Sequence, residues 1–144
     1  NDMLKAAYFA GCAFTRSYVG YVHAVAHSLG GAYNVPHGLA NAILLPYVLE
    51  AYGKTAEKKL AKLAYHIHLV SEITPQEEAA KAFIQMIKDM KTQLGIGNTV
   101  KEIKKEDISR LSKYADKEAN PLYPVPKLMN AKELEKFYYQ LMEK

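Results

Sequence analysis

The 144-residue chain has no tryptophan and a single cysteine, Cys12. One thiol cannot close an internal disulfide, so a reducing compartment, the cytoplasm, is expected. Cys12 lies in the stretch AAYFAGCAF, where a buried and inert thiol is expected. No apolar run approaches the ~18 residues of a membrane span; the longest is interrupted by Thr15, Arg16 and Ser17. No membrane contact is therefore expected. The charged-then-apolar opening and cleavage site of a signal peptide are also missing. The first residue is Asn1 rather than Met, so the chain reads as a fragment or a processed product. A dense basic cluster is lacking too. Lys and Arg number 19 against 15 Asp and Glu, for a net charge of +4. The lysines, however, are spread over residues 54–144 among acidic residues, the pattern of solvated helix faces. Without basic residues interleaved with exposed aromatics, no nucleic-acid partner is expected.

Charge itself is scarce in the first third. Residues 3–52 carry only Lys5, Arg16 and Glu50 besides histidines, whereas residues 54–144 are charged and amphipathic. This division, with no repeat and no low-complexity linker, reads as one domain over residues 1–144. Its buried spine falls in 3–52 and its outer helices in 54–144. At this length one core can bury most of the unfolded surface.

What is present reads as helix almost throughout. Residues 3–29 are apolar nearly all round, as a central helix covered by neighbours would be, with a break possible near Gly20. SLGGAYNVPHG (28–38) reads as a loop. LANAILLPYVLEAYG (39–53) reads as a second buried helix, kinked or broken near Pro46. Leu60, Leu63, Ala64 and Ile67 recur at helical spacing. The next helix is expected to open on a capping box of Thr74 and Glu77, to face inward with Phe83, Ile87, Met90 and Leu94, and to close at Gly95. A short helix follows over 105–118. A last one is capped by Asn130 and Glu133 and buries Leu134, Phe137 and Leu141. No period-2 strand is found. The fold class expected is all-α, a multi-helix bundle.

GYVHAVAHSLGGAYNVPHGLANAILLP (20–46) concentrates three of the five histidines. His23 and His27, four apart, lie on one helix face and could act as a pair of metal ligands. His37, held between Pro36 and Gly38, could reach the same point. Three imidazoles in an apolar stretch are costly to bury without partners, which favours a metal or catalytic role over plain packing. His66 and His68, two apart on a helix, point to different faces and read as surface or packing residues.

This block resembles the C-terminal signature of the iron-containing, or group III, alcohol dehydrogenases. The likeness runs through H-A-x-A-H-x-L-G-G and then P-H-G-x-A-N-A-x-L-L-P. AAYFAGCAFTRSYVG (6–20) and EDISRLSKYADKEANPLYP (106–124) are similar to flanking family segments. The resemblance implies the C-terminal part of the helical domain shared by dehydroquinate synthase-like and iron alcohol dehydrogenase folds. It assigns His23 and His37 as metal ligands, so residues 3–52 include the metal-site loop. His27 becomes the proton relay beside the nicotinamide cofactor, and Phe14 a wall of the substrate pocket. The metal is ferrous iron first and zinc second; the hydride acceptor is NAD or NADP; the substrate is a small alcohol or aldehyde. The family's first two ligands, an Asp and a His four residues later, have no match here, nor has a glycine-rich dinucleotide-binding unit. The resemblance therefore implies a missing N-terminal domain, an isolated chain without activity, and apolar surface that drives homo-oligomerisation.

Two other readings stand beside it. One is a helical binding module without catalysis, against which the intact histidine block speaks. The other is a small metal-dependent hydrolase, disfavoured because no Glu or Asp sits beside the histidine pair to act as base.

Overall fold

The computed structural model describes residues 1–143. It is all-α: α1 (Asp2–Ser17), α2 (Tyr21–Tyr33), α3 (His37–Tyr52), α4 (Lys54–His66), α5 (Gln76–Gln93), a 3-10 turn (Lys105–Asp107), α6 (Ile108–Ala119) and α7 (Ala131–Leu141). Among the described residues no strand forms. An isolated parallel bridge joins Val100 to Met142.

The centre of the bundle is α2, which packs against α3 and α6, while α6 packs in turn against α7 and α4 pairs with α5. Small residues let these helices approach: Ala24, Val25 and Ala26 on α2, and Ala115 and Ala119 on α6, are almost wholly buried. Leu29, Leu44, Leu111, Leu134 and Leu141 fill the layer between them. Each such side chain contributes on the order of 1.5–3 kcal/mol through burial. The Tyr138 hydroxyl lies 2.6 Å from Ser28 Oγ and 3.2 Å from the Leu111 carbonyl, which ties α7 to α2 and α6. Burial raises its phenol above the ordinary value.

The turn from α2 to α3 is only three residues long. Asn34 ends α2 in the left-handed conformation (φ 56°), its N–H donating to the Gly30 carbonyl, and Pro36 then precedes the first turn of α3. The segment expected to be a loop over 28–38 is thus mostly helix. Gly30 and Gly31 stay helical because the buried side of α2, with Leu29 at its centre, outweighs the cost of about 1 kcal/mol per glycine.

Other expectations are corrected in the same way. The helix foreseen over 3–29 does break near Gly20, as the sequence allowed: Tyr18 has φ 60° and Gly20 caps α2. Its first half, α1, is no buried spine: none of its residues is buried, and Cys12 is exposed. Pro46 does not break α3; the helix runs through it with the ring buried. Thr74 caps nothing. Pro75 takes the cap position of α5, and the Thr74 carbonyl instead accepts from the Tyr65 hydroxyl at 2.7 Å. The buried residues of α5 are Ala79, Ala80 and Lys91, with Phe83 and Ile84 packed against the core; Ile87 is half-buried, while Met90 and Leu94 are exposed. On α4 the buried stripe is Ala56, Leu60, Ala61 and Ala64, and Leu63 and Ile67 are half-exposed. The Asn130–Glu133 capping box of α7 forms as expected in both directions, at 3.1 and 3.0 Å. Gly95, with φ 69°, ends the α5 segment.

Candidate functional site

The short α2–α3 turn has one chemical consequence. It folds His37, at the first position of α3, back beside the two histidines of α2. The His23 and His37 rings lie 5.3 Å apart between centroids and are inclined at 52°. His27 stacks on His37 at 5.2 Å and 21°. The four-apart pair, His23 and His27, is the widest of the three at 5.8 Å and 73°. All three sequence-predicted imidazoles therefore meet, and His37 is the link between the other two.

The cluster is not buried as a whole. His23 is half-buried, while His27 and His37 are exposed. Burial lowers the His23 pKa below its ordinary 6.5; the neighbouring His37 and His27 push it the same way, and the Glu118 carboxylate opposes them. Burial and its two imidazole neighbours thus favour the neutral form of His23, the form in which an imidazole ligates a metal. At His37 the Asn41 amide nitrogen donates to the His37 carbonyl at 2.9 Å and lies 2.9 Å from His37 Nε2. The other end of that amide, Asn41 Oδ1, is buried with no hydrogen-bond partner.

A divalent transition metal fits this donor set in part. Imidazole nitrogens suit iron and zinc alike, and His23 and His37 stand side by side. Among the described residues, however, no group of three or more His, Cys, Asp and Glu side chains converges as a complete cage. A ligand at His37 Nε2 would also displace Asn41.

The fold brings in a residue that sequence reasoning missed. His27 Nδ1 lies 2.7 Å from Glu118 Oε1, although the two are 91 residues apart. The Tyr123 hydroxyl donates to the same oxygen at 2.8 Å. A carboxylate does therefore sit beside the histidine pair, contrary to the ground on which the hydrolase reading was set aside. No local signal could reveal it, since it depends on α6 packing against α2. A cavity of about 350 Å³ opens next to this pair, lined also by Ser28, Arg110, Leu111 and Tyr114.

The remaining candidates are all solvent-exposed. Phe14 is half-exposed on α1 and forms no ring pair with the imidazoles. His66 and His68 are exposed, at the end of α4 and just beyond it, as expected of surface residues.

The all-α bundle clusters its imidazoles at a helix–helix turn, and comparison with known proteins identifies the family that carries this arrangement. Residues 1–142 match the Fe-containing alcohol dehydrogenase family, C-terminal part. The chain belongs to that family. It is 41% identical over 119 residues to alcohol dehydrogenase 4 of Saccharomyces cerevisiae, a match covering 80% of this chain and 30% of that protein. It is 33% identical over 142 residues to a 1,3-propanediol dehydrogenase of Citrobacter freundii, covering 97% of this chain and 36% of the relative. The solved structure of an alcohol dehydrogenase from Oenococcus oeni superposes with a TM-score of 0.81 at 31% identity, over 92% of this chain and 35% of that one. The chain thus spans about a third of the length of the relatives it matches. Membership of a dehydrogenase family, rather than the absence of an acid, is what now weighs against a hydrolase.

Proposed function

We propose that the chain forms the helical, metal-binding portion of an NAD(P)-dependent alcohol dehydrogenase that interconverts alcohols with aldehydes or ketones. His23 and His37 are two of the metal ligands and His27 is the proton relay. The observation that carries this reading is the meeting of the three rings within 5.2–5.8 Å across the α2–α3 turn. When bound, a divalent metal supplies Lewis-acid polarisation of an alcohol oxygen and a nicotinamide supplies hydride acceptance. His23, whose neutral form burial favours, would offer a lone pair to the metal. His37, placed at the start of α3, offers the second. His27 stacks on His37 but is turned to Glu118, so it is free to take a proton from the substrate hydroxyl. Phe14 serves as a wall of the substrate pocket.

The rest of the reading follows from this incomplete donor set. Dinucleotide binding and the remaining ligands belong to a further domain of the same protein, so these 144 residues alone turn over no alcohol. Met3, Leu4, Tyr8 and Phe9, all exposed on α1, favour self-association of the chain. The exposed, unpaired Cys12 suits a reducing compartment such as the cytoplasm. No helix among the described residues is long and apolar enough to cross a membrane.

Titration with zinc or cobalt, followed by calorimetry, tests the assignment. Weak binding that falls with His37→Ala and hardly changes with His27→Ala is the expected result. Tight binding abolished by either substitution would instead mean a self-contained three-histidine site and would overturn it.

A further inference from the structure

We propose that Glu118 is a positioning residue for His27: its carboxylate accepts the Nδ1–H of the imidazole, fixing the ring's orientation and leaving Nε2 as its acceptor. This rests on the reading of His27 as the proton relay, and it adds the group that makes a relay of one defined nitrogen.

An ionised carboxylate can only accept, so the 2.7 Å contact requires the proton to be on His27 Nδ1. In a neutral ring the other nitrogen, Nε2, then carries the lone pair. Which ring nitrogen is protonated is decided by the hydrogen bond the other one makes. Nothing on α2 itself could do this for His27. The residues one turn away are His23, an imidazole on the same cluster, and Gly31, which has no side chain. The task falls to the facing helix. On α6, the buried Ala115 and Ala119 set that side against α2, and Glu118 stands between them at the rim.

Glu118 is itself held. The Tyr123 hydroxyl donates to the same Oε1 at 2.8 Å. Burial, followed by the bond to Glu118, raises the Tyr123 phenol to about 12, so the hydroxyl keeps its proton at any physiological pH. Tyr123 is fixed in turn by its N–H, which donates to the Ala119 carbonyl at 2.7 Å, one residue beyond Glu118. Tyr123, Glu118 and His27 thus form a chain of two directed bonds ending at the imidazole cluster. A purely stabilising role fits poorly, because the His27 and Glu118 side chains are 43% and 34% exposed. Solvent-open pairs of this kind contribute about 0–1 kcal/mol.

The test is a long-range 1H–15N correlation spectrum of the chain labelled with 15N-histidine, recorded without metal and well above the ordinary histidine value of ~6.5. His27→Ala assigns the His27 signals. The expected pattern is an Nδ1–H, Nε2-bare ring for His27. Glu118→Ala should lose that pattern and move the ring toward the Nε2–H form that free imidazole prefers in water. Glu118→Gln, whose amide oxygen still accepts, should restore it. Circular dichroism of each variant shows that the helices remain. An Nε2–H ring in the unmodified chain, or a pattern indifferent to Glu118→Ala, overturns the proposal. The outcome is separable from that of the metal titration. A chain that binds zinc tightly through all three histidines, yet shows the Glu118-dependent Nδ1–H ring without metal, upholds this pairing and overturns the relay assignment. A chain that binds zinc through His37 with His27 as Nε2–H does the reverse.

Discussion

Tyr21 and Met129 are locked together, although 108 residues separate them: the Met129 N–H donates to the Tyr21 hydroxyl at 2.9 Å. The same hydroxyl donates to Asn120 Oδ1 at 2.8 Å, with the Met129 carbonyl close by at 3.1 Å. Asn120 completes the knot by donating from Nδ2 to the Met129 carbonyl at 2.9 Å. Tyr21 is fully buried and opens α2 two residues before His23, so this knot holds the first turn of the helix that carries the imidazoles.

Tyr21→Phe removes one oxygen and leaves the buried Met129 N–H without its partner. The cost of such an orphaned donor is about 1–3 kcal/mol. Urea unfolding followed by circular dichroism should show a lowered midpoint with an unchanged slope. A midpoint within error of the parent would mean that the residues around Met129 rearrange to satisfy the group, and that the knot is not what anchors α2.

A smaller and more local loss is expected at α7. Asn130→Ala removes the side-chain acceptor of the Glu133 N–H and leaves only the Asn130 carbonyl, at 3.0 Å. N-cap losses of this kind cost about 0.5–2 kcal/mol. Asn130→Ser, which can still accept, should recover most of it in the same unfolding measurement. Equal losses in the two variants would show that packing of Leu134 and Phe137, rather than the cap, sets the stability of this helix.

The contrast between α7 and α1 explains what could be read in advance. At α7 the cap and the spacing of Leu134, Phe137 and Leu141 are properties of neighbouring residues, and the tertiary contacts agree with them. At α1 composition alone speaks. Phe9 and Tyr8 are as apolar as any core residue, but burial depends on a facing surface, and none covers them among the described residues. The same limit divides the candidate site. His23, His27 and His37 lie within fifteen positions, and a three-residue turn suffices to bring them together. Glu118 and Tyr123 reach the cluster only because the α2 and α6 alanines pack face to face, which no spacing near the histidines encodes. Asn41, four residues after His37 on α3, was within reach of helical spacing. An amide, however, carries no metal-ligand signature that would single it out in the sequence.

Cys12 offers a direct check on the exposure of α1. Where α1 is free, its exposed thiol should react with a disulfide reagent such as Ellman's at about the rate seen in denaturant, with one equivalent released per chain. A native thiol reacting more slowly by tenfold or more would mean that α1 is covered in solution. If that protection faded on dilution, the cover would be a second copy of the chain, in line with the self-association proposed above.

Asp107 supplies the pH dependence. Its carboxylate is bonded to Arg110 at 2.6 Å and receives the Tyr33 hydroxyl at 2.8 Å, so it joins the 3-10 turn to α6 and to the end of α2. The Arg110 bond first, and the Tyr33 bond next, hold its pKa below the ordinary 3.8. The unfolded chain therefore binds this proton more readily than the folded one. Its contribution to stability is complete above about 3.8 and is lost as pH falls below that value through the folded pKa. Asp107→Asn cannot be titrated and keeps only part of the bonding. The parent should therefore be more stable than Asp107→Asn at neutral pH, and the gap should narrow steadily below pH 4. Denaturant midpoints of the two chains at a series of pH values measure this difference. A gap that stays constant down to pH 2 would place the effect of the substitution in packing at Tyr33 rather than in the carboxylate's charge.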